Sequence, residues 1–160
     1  MSGLEDLYRE IILDHYRNPR NDGELPSPPA QRAEGFNPLC GDEVVVYVDV
    51  EGDKLVDVKI AGQGCSISRS SASMMSVAVK GLTTAEAREV IRTFKGAMSM
   101  HESQLESEEA LPGPRADLSG MGDLAALQGV VKFPVRIKCA TLSWNTLAQC
   151  LDQAEKAGRA

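Results

Sequence analysis

A chain of 160 residues with 42% hydrophobic but only 4% aromatic residues can bury a sizeable core, filled mainly by aliphatic side chains, and its length fits a single domain over 1–160. Its 17 basic and 23 acidic residues leave a net charge of -6, which argues against nucleic acid as the main partner and against an anionic membrane surface, since both call for a basic patch. No apolar run approaches the roughly 20 residues of a membrane span, and the N-terminus MSGLEDLYRE is acidic where a signal peptide would be basic, so a cytoplasmic location is expected.

In chain order, Leu4, Leu7, Tyr8, Ile11, Ile12 and His15 recur near the helical period and predict a helix over 4–17. Asn18 precedes Pro19, which disfavours helical backbone and ends the element. Residues 18–38 are rich in Pro, Gly and Asn and read as a loop or a poorly paired edge. The β-branched run VVVYVDV (44–50) predicts a strand, Glu51, Gly52 and Asp53 a turn, and 55–61 the returning strand of a hairpin. Its alternation predicts Val56, Val58 and Ile60 inward, and Leu55, Asp57 and Lys59 outward. The GQGC segment breaks that strand. A helix over 67–80 follows, closed by Gly81, and another over 84–95, with Thr83 or Thr84 as N-cap and Glu86 in its first turn. Residues 96–122 are polar and carry Gly and Pro, which predicts a surface insertion with one short helical piece at most. A turn or two of helix over 123–129 and a last helix over 136–156 complete the chain. Strands followed by helices predict an α+β fold, a small antiparallel β-sheet covered by helices on one face.

Four cysteines stand at Cys40, Cys65, Cys139 and Cys150. An even count allows two disulfides, but with no export signal, metal binding or thiol chemistry is the stronger reading. Cys40 lies in NPLCGD just before a strand, with Asp42 two residues on. Cys65 stands between strand and helix, and Cys139 opens the last helix. Three thiols and a carboxylate therefore sit at element ends, where chemistry tends to be placed. Zinc accepts this donor set in tetrahedral geometry, while iron or a cluster also suits soft sulfur ligands. A helix start favours a thiolate at Cys65, and Gly62 and Gly64 would let the backbone approach an ion closely. The spacing contains no C-x-x-C, so buried cysteines acting as small hydrophobes remain the competing reading. Cys150 falls eleven residues after Cys139, about 16 Å along a helix, too far to share its ion, and within the stripe Leu142, Leu147, Leu151 and Ala154 it reads as core. His15, Met74, Met75 and Trp144 also read as core, Ser66 or Ser68 as a helix N-cap, and His101 with Glu106, Glu108 and Glu109 as solvated.

Four ordered motifs, LYREIILDHYRNPRN, NPLCGD, GQGCSISRSSASMM and RIKCATLSW, resemble the IscU/NifU-like scaffold superfamily of iron–sulfur cluster assembly, over about residues 5–151. Within it they look most like the SufU-type zinc-dependent sulfurtransferases. The resemblance implies a compact α+β domain with zinc held by Cys40, Asp42, Cys65 and Cys139. It implies that Cys40 accepts persulfide sulfur from a SufS-like cysteine desulfurase, freed when a His of that partner replaces it on the ion, and that a downstream iron–sulfur assembly scaffold receives the sulfur. Arg136 matches the R-x-x-C position of the family, one helical turn before Cys139, with a role in transfer or in neutralising nearby charge. Lys138 stands where IscU-type chains carry His, and FPVRIK replaces their LPPVK stretch. The 96–122 segment matches an insertion typical of SufU. These departures favour a sulfurtransferase over the alternative, an IscU-like scaffold building a [2Fe–2S] cluster on the same ligands. A non-catalytic, zinc-stabilised interaction domain is the third reading.

Overall fold

The structure, a computed structural model, describes residues 2–26, 30–38, 41–106, 122–132 and 134–158. Cys40 and residues 107–121 of the expected insertion lie outside the described residues, as do the side chains of His101 and Glu106 and the whole of Glu108 and Glu109.

Helix α1 (Ser2–Arg17) ends where Pro19 approaches; the Asn18 N–H still donates to the Asp14 carbonyl at 2.8 Å. The sheet has three strands, β1 (Gln31–Asn37), β2 (Asp42–Glu51) and β3 (Lys54–Gln63), in the order β1-β2-β3 with both pairings antiparallel. The part of 18–38 expected as a loop or poor edge thus contains an edge strand in full register, from Gln31 opposite Val48 to Asn37 opposite Asp42. QRAEGFN has little strand propensity of its own. The strand exists because alternate residues Ala33, Gly35 and Asn37 turn toward the last helix and pack there, a tertiary override of local preference. The other edge is partly covered: the Ile60 N–H donates to the Asn21 carbonyl and the Gly23 N–H to the Ile60 carbonyl, each at 2.9 Å.

The hairpin corrects one expectation. Asp49 pairs with Asp57 but Val50 pairs with Leu55, so Val56 is the extra residue of a bulge. The slip turns Leu55 into the core, where it is fully buried, and leaves Val56 half-buried.

Helix α2 (Ser66–Val79) is the buried central helix. Its N-cap is Cys65, not Ser66 or Ser68: the Cys65 Sγ accepts the Ser68 N–H at 3.4 Å. Serines 70, 71, 73 and 76 are buried along it; small side chains let neighbours approach and hydroxyls satisfy them. Ser71 donates to the Ala140 carbonyl at 2.6 Å and accepts the Trp144 indole N–H at 2.9 Å. Met74 and Met75 fill core space as expected. Gly81, at φ 90°, terminates the helix in a conformation that costs other residues.

Helix α3 (Thr84–Glu106) opens with a reciprocal capping box, Thr83 N–H to Glu86 Oε1 at 3.0 Å and Glu86 N–H to Thr83 Oγ1 at 3.1 Å. It does not stop at 95 but continues through Gly96, and Met98 beyond that glycine is fully buried. Packing outweighs the roughly 1 kcal/mol that a helical glycine costs. A 3₁₀ helix, Gly122–Lys132, stands where a turn or two of helix was expected, burying Leu124, Ala126, Leu127 and Val130. His15 is buried as expected, with Nδ1 2.7 Å from Ser73 Oγ and Nε2 2.8 Å from Asp123 Oδ2, tying α1 to α2 and to this segment.

Helix α4 (Pro134–Gly158) starts two residues earlier than expected, on a proline that the first turn tolerates. It lies across β1 and β2, with α2 beside it and α1 outside α2. Val44, Val46 and Val48 form the inner row of β2 beneath it, and Trp144 stacks on Phe94 at 4.3 Å between centroids. Among the described residues no helix is long and apolar enough to cross a membrane.

Candidate metal centre

Asp42 opens β2, and the two-residue period that buries Val44, Val46 and Val48 carries it to the same inner face, at 0% exposure. A buried carboxylate is costly unless it is bonded. Its Oδ1 accepts the Cys65 N–H at 2.9 Å, and its Oδ2 lies 3.8 Å from the Cys65 Sγ. The two glycines of GQG make this approach possible by steric absence. A Cβ on Gly62 would lie 2.2 Å from the Glu43 carbonyl oxygen, and one on Gly64 would lie 2.6 Å from Asp42 Oδ1. Both glycines serve a close approach, and what approaches is the start of β2. The Arg69 guanidinium, one turn into α2, donates to the Gly62 carbonyl and ties the loop to the helix.

Cys65 is half-buried at the α2 N-cap, and Cys139 lies in the first turns of α4 at 0% exposure. One donor atom each from Asp42, Cys65 and Cys139 lie all within 4.8 Å of one another. Bonds of about 2.3 Å to sulfur and 2.0 Å to oxygen around a tetrahedral ion space its ligand atoms by about 3.5–3.8 Å. The Asp42–Cys65 pair is at that separation and all three donors are close enough to converge on one ion, with two thiols and a carboxylate forming a donor set that zinc accepts. Cys65, Cys139 and Cys150 are free thiols, so no disulfide joins any two of them.

Cys40 itself lies outside the described residues. Gly41, which follows it, is exposed at φ 71°, and its N–H donates to the Asn37 carbonyl at 2.8 Å, closing a turn between β1 and β2. Arg136 is exposed on α4, one turn before Cys139. Asn37 was missed by sequence reasoning: it is 6% exposed and its Nδ2 lies 3.8 Å from the Cys139 Sγ. Its place at the head of NPLCGD was the only available signal. Cys150 is apart from this chemistry, as expected. It is fully buried, donates to the Val46 carbonyl at 3.1 Å, and burial pushes its thiol up to about 12.

Helices on one face of a small antiparallel sheet, with two thiols and a carboxylate gathered at element ends, define a small α+β protein built to hold a metal or handle sulfur. Residues 7–140 match the NifU-like N-terminal domain, and the chain belongs to that family. It is 41% identical to the zinc-dependent sulfurtransferase SufU of Bacillus subtilis (strain 168) over 96% of this chain and 95% of that one. It is 34% identical to the iron–sulfur cluster assembly scaffold protein IscU of Streptococcus pyogenes serotype M1, covering 98% and 90% of the two chains. Among solved structures, it superposes at a TM-score of 0.71 and 35% identity on an iron–sulfur cluster assembly scaffold protein for the SUF system from Fervidobacterium islandicum AW-1, covering 89% of this chain and 94% of that one.

Proposed function

We propose that this chain is a zinc-dependent sulfurtransferase of iron–sulfur cluster assembly, accepting persulfide sulfur from a SufS-like cysteine desulfurase on Cys40 and passing it to a downstream assembly scaffold. One observation carries the reading: donor atoms of Asp42, Cys65 and Cys139 gather within 4.8 Å of one another, close enough to converge on a single ion. Cys40, two residues before Asp42, supplies the fourth donor. Bound zinc would supply a redox-silent charge that keeps thiols deprotonated at neutral pH and clamps strand and helix ends together.

The chemistry belongs to Cys40. Its thiolate attacks the terminal sulfur of the partner's persulfide; a sulfur–sulfur bond forms on Cys40 as the old one breaks, and the desulfurase cysteine leaves as a thiolate. Exposed Gly41 beside it suits a residue that must meet a partner, whereas buried Cys139 and half-buried Cys65 are anchors. Arg136, exposed one turn before Cys139, is the cation that steadies the incoming persulfide. All described elements share one core, which supports a single domain over 1–160; the part of the proposed 96–122 insertion up to Glu106 is helical.

The likeness to a named sulfurtransferase and Lys138 in place of a ligating His favour transfer. The likeness to named scaffold proteins favours the second reading, a [2Fe–2S] cluster built on the same ligands. Anaerobic purification with metal analysis separates them: one colourless zinc per chain is expected, whereas a brown protein with iron and labile sulfide moves the function to the scaffold. With a cysteine desulfurase and cysteine, the native protein should accelerate alanine release several-fold, and Cys40→Ala should abolish the gain. Unchanged turnover with the native protein removes the transferase reading.

A further inference from the structure

Asn37 stands where β1, β2 and α4 meet. As the last residue of β1 it pairs directly with Asp42, so a single cross-strand position places both side chains on the inner face of the sheet. Its backbone carbonyl accepts the Gly41 N–H at 2.8 Å, tying the end of β1 to the residue before β2. Its side-chain amide reaches across the sheet to α4, with Nδ2 3.8 Å from the Cys139 Sγ, and is 6% exposed. A thiolate is purely an acceptor, so the amide nitrogen is the end that must face it.

We propose that Asn37 is a positioning residue that holds the sulfur of Cys139 in the site. The proposal rests on the zinc-sulfurtransferase reading above. The N–H···S bond holds Cys139 in place and draws charge from its sulfur, which makes Cys139 a retained ligand and a poor nucleophile. Partners of this kind, behind a metal ligand, fix its orientation and tune the metal's affinity, and their loss typically costs 10- to 100-fold in binding. Buried amides are also costly to leave unpaired, which gives Asn37 a reason to remain bonded in the folded state.

The test uses the full chain with zinc or cobalt(II) alone. Asn37→Leu keeps the bulk and removes the donor. Zinc affinity, measured by competition with a chromogenic chelator, should fall roughly 10- to 100-fold. The sulfur-to-cobalt charge-transfer band of the cobalt(II) form should move to lower energy, because a thiolate without its N–H donor gives up charge more readily. A role in folding alone would lower the melting temperature and leave the band where it was. Should Asn37→Leu fail to fold, Asn37→Asp, of the same shape with an acceptor in place of the donor, carries the same expectation for the band. An unshifted band and native affinity in a folded variant overturn the proposal. If the native protein binds neither ion, the zinc reading itself fails, which is a distinguishable result.

Discussion

At the scale of single residues, the site depends as much on what is missing as on what is present. Gly64 carries no side chain because a Cβ there would lie 2.6 Å from Asp42 Oδ1 and 3.1 Å from its Cβ and Cγ. The carboxylate cannot yield freely, since the Cys65 N–H holds its Oδ1 at 2.9 Å. Gly64→Ala should therefore displace Asp42 and weaken zinc binding about tenfold or more, read by chelator competition; native affinity would show that the carboxylate is not needed where it stands. Cys150 makes the opposite case. Its thiol is raised from an ordinary 9.0 to about 12 by burial, with a smaller opposing contribution from a backbone hydrogen bond at Ala33. The folded chain therefore holds that proton more tightly than the unfolded chain does, and the associated stability is present below pH 9.0 and drains away as pH rises toward 12. At pH 8, iodoacetamide followed by peptide mapping should leave Cys150 unlabelled in the native protein and label it in urea. Labelling of the folded chain would contradict its burial.

At the scale of elements, the contact that organises the site is β1 against α4. Gly35 in mid-strand would place a Cβ 2.1 Å from Thr146 Oγ1, 3.1 Å from Leu142 and 3.2 Å from Val44, so strand and helix touch there without a spacer. Gly35→Ala should cost about 1–3 kcal/mol in urea unfolding, by overpacking a fitted interface. It should also weaken zinc binding, because the shift separates Asn37 and Asp42 from Cys139. A neutral effect on both would mean that the strand rides loosely on the helix. The capping box at Thr83 and Glu86 was legible from its spacing, since both of its bonds are local. The continuation of α3 past Gly96 was not, because it goes with the burial of Met98 in the core, and no local signal announces that.

At the scale of the whole molecule, the proposed ion joins three elements, β2 through Asp42, the α2 N-terminus through Cys65 and α4 through Cys139. Metal binding at such a junction is coupled to folding. Free zinc at about 1,000 times its Kd stabilises the folded state by about 4 kcal/mol, which in a chain of this size raises Tm by roughly 8–16 °C. Chelation should reverse that rise in the native protein, and Asp42→Ala should show little response to either treatment in a thermal melt. An equal rise in the variant would remove Asp42 from the ligand set.

The sequence by itself determined the elements whose cause is local: the β-branched hairpin, the helices and the capping box of α3, and the motifs in which Cys40, Asp42, Cys65 and Cys139 stand. Only the tertiary structure decided the rest. β1 became a strand because α4 and β2 were there to receive it, and Leu55 turned inward through a bulge that alternation cannot announce. Asn37 and Cys139 met across 102 positions of chain because the sheet face and the helix pack against each other. The physical reason is the same in each case: propensity and capping act over a few residues, whereas burial and donor geometry are satisfied by whichever distant residues the packed core brings together.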